Sequence, residues 1–130
     1  MLFGQALSSQ RTEKMAKFSK RSLKRISECH PDLQKIAHEL IKEMDVTVLC
    51  GHRGKDEQNE AYRKGHSQLK WPNSKHNKTP SRAIDMAPYP IDWKDPDRFD
   101  DMRARIKKIA ARLGIKIRHI KWDYPHTELL

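Results

Sequence analysis

The sequence predicts a single α+β domain: a short, mostly antiparallel sheet packed against about three helices. Two amphipathic stripes predict the helices, one from Leu33 to Met44 and one from Phe99 to Leu113, each with apolar residues three and four apart. Short β-branched runs at Val46–Cys50 and 115–120 predict strands interleaved with them. At 130 residues the chain is long enough for one compact core and too short for two ordinary ones.

In chain order, residues 1–14 lack any period and extend into a flexible, basic N-terminal arm over 1–17. Ser19 caps a short helix over 19–28, with Phe18, Leu23 and Ile26 facing inward. Pro31 suits the first turn of the next helix, and Asp32 favours its positive end. Leu33, Ile36, Ala37, Leu40, Ile41 and Met44 form its stripe. The run Val46–Cys50 reads as a buried strand ended by Gly51, and residues 55–64 as a short helix closed by Gly65. Residues 66–81 have loop chemistry, with Trp71-Pro72-Asn73-Ser74 and Thr79-Pro80-Ser81. A strand over 82–87 is stopped by Pro88 and Pro90. The helix at 96–113 turns Phe99, Met102, Ile106, Ile109, Ala110 and Leu113 inward and stops at Gly114.

Lys and Arg number 27 against 17 Asp and Glu, a net charge of +10. The excess sits in 1–25 and 102–121, while 92–101 is acid-rich. Such asymmetry points to a polyanionic partner. The longest apolar run, Val46–Cys50, is far short of a bilayer span. The first residues place apolar groups before charges, the reverse of a secretion signal. Cys29 and Cys50 lack CxxC spacing and read as reduced, half-buried thiols.

The chemistry gathers at histidines and carboxylates. His76 lies in the polar loop, and Asp85 follows nine residues later inside the apolar strand Ala83-Ile84-Asp85-Met86-Ala87. A mid-strand Asp is costly unless it is paired or bound to metal. On the strand period it shares a face with Ala83 and Ala87, which leave room for a bound group. Near the end, Asp123 and His126 stand close to a terminal strand. Two His and one Asp suit a three-ligand zinc site with one open position, and Asp123 suits a proton shuttle. By spacing alone the metal site is a weak signal, and a capped loop His, a salt-bridged Asp and a plain tail are the commoner outcome.

The stretch SKHNKTPSRAIDMAP (74–88) resembles the SxHxxGxAxD signature of the VanX/VanY-type zinc D-alanyl peptidases. It is most similar to their phage-lysin relatives, which cut the L-alanyl–D-glutamate bond of peptidoglycan. WDYPHTEL (122–129) resembles that group's DxPHxE element, and CGHRGKDEQ (50–58) its GxRxxxxQ segment. FSKRSLKRISECHPDLQKIA (18–37) is similar to the opening of the same lysins, so the resemblance runs from Phe18 to Leu130. His76 and Asp85 are nine apart rather than seven, and Pro80-Ser81 replace a single Gly, which reads as a two-residue surface-loop insertion. Thr127 stands where an aromatic or aliphatic residue is usual.

The resemblance implies one zinc ion per chain, in a cleft on the sheet, held by His76, Asp85 and His126. It implies Asp123 as general base and Arg53 facing the substrate carbonyl. Ser74 and Gln58 fit as groups that orient the ligands or Arg53; His52 and Trp122 are candidate substrate contacts. His66 and His119 are further residues near the cleft, and His38 belongs to a polar helix face. A modulatory calcium site over Asp92, Asp95, Asp97, Asp100 and Asp101 is an additional expectation, although a helix start favouring acids explains them too. Residues 18–130 then form the catalytic domain of a monomeric endolysin. It waits in the host cytoplasm until lysis, binds stem peptides and is retained by anionic envelope polymers. A D-alanyl-D-alanine carboxypeptidase of the same fold is the alternative. More distant is a basic nucleic-acid-binding module, for which 102–121 supplies charge but no aromatic recognition motif, so no nucleic acid is expected.

Overall fold

The computed structural model describes residues 16–130, so the expected arm over 1–17 lies outside it except for Ala16 and Lys17. Helices α1 (Lys20–Ser27) and α2 (Pro31–Leu40) lead into β1 (Val46–Cys50) and α3 (Lys55–Arg63). A single 3-10 turn, Lys75–Asn77, precedes β2 (Ala83–Pro88). Helix α4 (Pro96–Leu113) and the short strands β3 (Ile117–Arg118) and β4 (His126–Leu129) complete the chain. The four strands form one antiparallel sheet in the order β1-β2-β4-β3. The α+β class with a mostly antiparallel sheet is therefore what folds, with four α-helices among the described residues.

The caps act where local chemistry places them. The Ser19 hydroxyl accepts from the Ser22 amide, Asp95 caps α4, and Gly114 ends α4 at φ 72°, a left-handed conformation that suits glycine. Ile84 and Met86 of β2, Val48 of β1 and Leu129 of β4 turn to one face of the sheet. There they meet Ile26, Leu33, Ile36 and Leu40 of α1 and α2, and Phe99, Met102, Ile106 and Ile109 of α4. Helices thus cover one face, and Asp85, His126 and Glu128 alternate onto the other.

Several expected details shift. Leu23 is 45% exposed, because α1 rests on β1 through the smaller Ser22, whose hydroxyl accepts from the Val48 amide, 3.0 Å away. Leu113 is 40% exposed, since the chain departs at Gly114 before the last turn of α4 reaches the core. Helix α2 ends at Leu40, and Ile41 and Met44 pack on the core from the following turn. Pairing limits the strand expected over 115–120 to two residues. Cys29 is fully buried rather than half-buried, which pushes its thiol up to about 12; both cysteines are free. Ser81 does not belong to a surface insertion. It is fully buried, its amide donates to the Glu28 carbonyl and its carbonyl accepts from His30, so the longer loop is stitched to the α1–α2 junction.

Gly51 packs tightly against the end of α1, and its carbonyl faces the site. A Cβ there would stand 2.3 Å from the Arg25 carbonyl oxygen and 3.2 Å from Cys29 Sγ. Backbone cannot yield as a flexible side chain does, so Gly51→Ala is expected to cost about 1–3 kcal/mol. Thermal melting followed by circular dichroism should show the lowered Tm, and an unchanged melting curve would contradict this packing.

Candidate active site

The sheet register assembles the site. Cys50 pairs with Asp85 and Asp85 with His126, so one row crosses β1, β2 and β4. The register shifts between Val48 and Cys50. Without that shift Cys50 would share the core face with Val46 and Val48; the extra residue turns it toward Asp85. The 3-10 turn presents His76 over the row. Its N-cap is Ser74, whose hydroxyl accepts from the His76 amide at 3.2 Å while its own amide donates to Asn77 Oδ1 at 3.0 Å.

Three of the expected ligands meet. Asp85 Oδ1 lies 3.2 Å from His76 Nε2 and 3.1 Å from His126 Nδ1, and the two ring nitrogens are 3.3 Å apart. Donor atoms around a tetrahedral zinc ion, at about 2.0–2.1 Å from it, stand roughly 3.3 Å from one another. The outer ring nitrogens fix the tautomers. His76 Nδ1 lies 2.7 Å from the Gly51 carbonyl, and His126 Nε2 lies 2.8 Å from Glu128 Oε1. With N–H groups committed outward, both remaining lone pairs converge on Asp85. Two imidazoles and one carboxylate suit zinc better than calcium or magnesium, which prefer oxygen donors.

Electrostatics point the same way. Burial alone would lower the imidazolium of His76, yet the Asp85 carboxylate raises it to about 10. Burial would likewise raise Asp85, but His76 and His126 hold it well below the usual carboxylate range. The cluster therefore favours positive charge at its centre, from a proton or from a divalent cation. Asp123 lies beside it, with Oδ2 3.9 Å from His126 Nδ1; burial, then Asp85, raises its carboxyl above the ordinary value.

Arg53 reaches the same cleft. Its Nη2 is 3.7 Å from Asp85 Oδ2, its Nη1 donates to Gln58 Oε1 at 3.0 Å, and its amide donates to the His76 carbonyl at 2.8 Å. Gln58 is fully buried rather than solvated. It also accepts from Asn77 Nδ2 and donates to Ser67 Oγ and the Leu69 carbonyl, fixing Arg53 and the 3-10 turn as one unit. The cleft encloses about 290 Å³ and includes Arg53, Ser74, His76, Asp85, Asp123 and His126. Trp122 and His66 line it too. His52 does not: it opens on a separate groove beside α1, and its Nε2 lies 3.4 Å from Thr79 Oγ1. His119 also turns away, with Nε2 2.9 Å from Thr127 Oγ1, and burial lowers it to about 4. That contact gives the unusual Thr127 hydroxyl its partner.

Sequence reasoning missed four side chains. Cys50 offers its thiol within 4.8 Å of donor atoms of His76 and Asp85, a looser set than the triangle that includes His126. Glu128, 4% exposed, is the carboxylate that holds His126, and strand alternation from His126 was the available signal. Lys75 and Arg118 pair with its other oxygen at 3.2 and 3.0 Å. The acid-rich stretch forms no ligand cluster among the described residues. Asp95 caps α4, Asp92 accepts from the Lys94 amide, and Asp101 pairs with Arg105, so the calcium expectation finds no support. Part of the basic stretch 102–121 is committed within the fold, while Lys107, Lys108, Lys116 and Lys121 stay exposed. Arg103 donates to carbonyls of the 120–124 loop, and Arg105 and Arg112 pair with Glu43 and Glu39.

Comparison with known proteins agrees with this architecture. The model of the phage L-alanyl-D-glutamate peptidase family matches residues 15–127. The L-alanyl-D-glutamate peptidase of Escherichia phage T5 is 35% identical over 107 residues, covering 78% of this chain and 77% of the relative. The crystal structure of the L-Ala D-Glu endopeptidase ChiX of Serratia marcescens superposes with a TM-score of 0.75 at 25% identity, over 89% of this chain and 91% of that one. With a match that covers the 3-10 turn and reaches His126 in the terminal strand, and so includes both converging histidines, the chain belongs to the phage L-alanyl-D-glutamate peptidase family.

Proposed function

We propose that this protein is a zinc-dependent endopeptidase that hydrolyses the L-alanyl–D-glutamate bond of peptidoglycan stem peptides and acts as a phage endolysin. The triangle of His76 Nε2, Asp85 Oδ1 and His126 Nδ1, 3.1–3.3 Å on a side, carries the reading. Those three side chains would hold the ion, and Glu128 and the Gly51 carbonyl keep the rings in the tautomers that ligation requires. Zinc held there supplies water activation near neutral pH and polarisation of the scissile carbonyl.

The remaining work falls to this chain's own residues. Asp123 takes the proton of the attacking water and returns one to the departing amine, a role its upward-shifted carboxyl suits. Arg53, permanently cationic and braced by Gln58, meets the charge that develops on the carbonyl oxygen. Residues 18–130 carry catalysis. The net charge of +10 speeds encounter with anionic envelope polymers once the enzyme passes from the host cytoplasm to the wall.

A muropeptide digest read by mass spectrometry, with and without chelator, tests metal, bond and substrate together. New D-glutamate amino ends that vanish on zinc removal are expected. Release of free D-alanine would instead identify a D-alanyl-D-alanine carboxypeptidase, and cleavage that survives zinc removal would overturn the mechanism.

A further inference from the structure

We propose that Arg118 forms a carboxylate subsite on the cleft rim, binding the free α-carboxylate of the D-glutamate whose amine is released. The inference rests on the bond assigned above. Arg118 pairs with Glu128 across β3–β4, and Glu128 pairs with Ala83 across β4–β2. A second row of residues therefore lies beside the row that carries Asp85 and His126. From His126 Nε2 it is 2.8 Å to Glu128 Oε1, and from Glu128 Oε2 it is 3.0 Å to the Arg118 guanidinium. The cation thus stands two contacts from the proposed zinc ligand, on the wall of the same cleft.

Charge on that wall is not balanced internally. Lys75 Nζ lies 3.2 Å from the same Glu128 oxygen and donates to the Leu129 carbonyl, so one carboxylate faces two cations. Lys75 is the more committed of the two. Arg118 is 59% exposed along its side chain, and Glu128 is its one ion-pair partner among the described residues. Asp85 and Asp123 also line the cleft, and a substrate anion would be repelled from their side. Of the other cleft cations, Arg53 is braced by Gln58 and held against Asp85, on the side where its proposed role is to meet the scissile carbonyl.

The substrate supplies the matching anion. D-glutamate in a stem peptide continues through its γ-carboxyl, which leaves the α-carboxylate three bonds from the scissile carbonyl carbon. A guanidinium meets a carboxylate through two parallel hydrogen bonds. Amidation to D-isoglutamine removes the charge and one acceptor while almost preserving the shape. Arg118 would then set a preference for wall chemistry with the carboxylate uncapped.

The test compares L-Ala-γ-D-Glu and L-Ala-γ-D-isoGln muropeptides, otherwise identical, as substrates of the full-length zinc-loaded protein. The native enzyme is expected to favour the carboxylate form in kcat/KM by roughly tenfold to a hundredfold. Arg118→Gln should erase most of that preference, losing far more on the carboxylate substrate than on the amide, and Arg118→Lys should keep part of it. Equal cleavage of both substrates by the native enzyme, or an equal loss on both in Arg118→Gln, would overturn the subsite. Cleavage of neither at the L-Ala–D-Glu bond would instead overturn the proposed function itself.

Discussion

Protein carrying His126→Ala is expected to purify without stoichiometric zinc and to cleave no muropeptide above background, while Cys50→Ser keeps both metal and activity. The contrast follows from geometry. His126 Nδ1 closes a triangle of 3.1–3.3 Å with His76 and Asp85, whereas the Cys50 thiol shares only a 4.8 Å neighbourhood with them. Two ligands bind zinc much more weakly than three, and the vacated ring also leaves Glu128 Oε1 without its histidine partner. Elemental analysis of the purified variants gives the metal content, and circular dichroism shows whether the fold survives. Glu128→Gln provides a graded case: loss of the carboxylate behind a ligand histidine lowers metal affinity about 10–100-fold. Metal retained in His126→Ala but lost in Cys50→Ser would reassign the centre to Cys50, His76 and Asp85.

Asp123→Asn is expected to leave metal content unchanged and to lower kcat by about 10²–10⁴-fold, with a much smaller effect on KM. The amide keeps the shape of the carboxylate but cannot accept a proton. Asp123 lies outside the ligand triangle, 3.9 Å from His126 Nδ1, so its replacement does not dismantle the centre. Its position depends on Arg103, which donates to the carbonyls of Ile120, Asp123 and Tyr124 and so holds the loop against α4. Steady-state kinetics on a purified muropeptide, beside elemental analysis, checks the pair of expectations. Activity within tenfold of the native enzyme would remove Asp123 from the proton path.

Helix α4 was legible because 18 residues of regular spacing, an acidic cap and a terminal glycine all act within a few turns of one another. Strand β4 was not legible as a strand. His126–Leu129 is four residues long and mostly polar, and it is a strand only because β2 and β3 lie on either side of it. The same difference separates Leu23 from Ile26. Both fit the apolar stripe of α1, but α1 meets β1 through Ser22, which leaves Leu23 at the surface. Ser81 read as loop chemistry because its buried backbone partners, Glu28 and His30, are some fifty residues away in the chain.

His76, Asp85, Asp123 and His126 stood out in the chain as costly or specialised side chains, but their common role, and Arg53 altogether, came from the resemblance of three short motifs to a known family. Local rules also determined most helix starts and stops, since caps and turns act over three or four residues. The tertiary structure alone decided which histidines face the common centre and which, like His52 and His119, turn away. It also brought Glu128 and Arg118 to the cleft, set the Cys50 thiol near His76 and Asp85, and fixed the tautomers through Gly51 and Glu128. Orientation of that kind depends on strand register and on one irregularity in β1, and these are settled by pairing between segments distant in the chain.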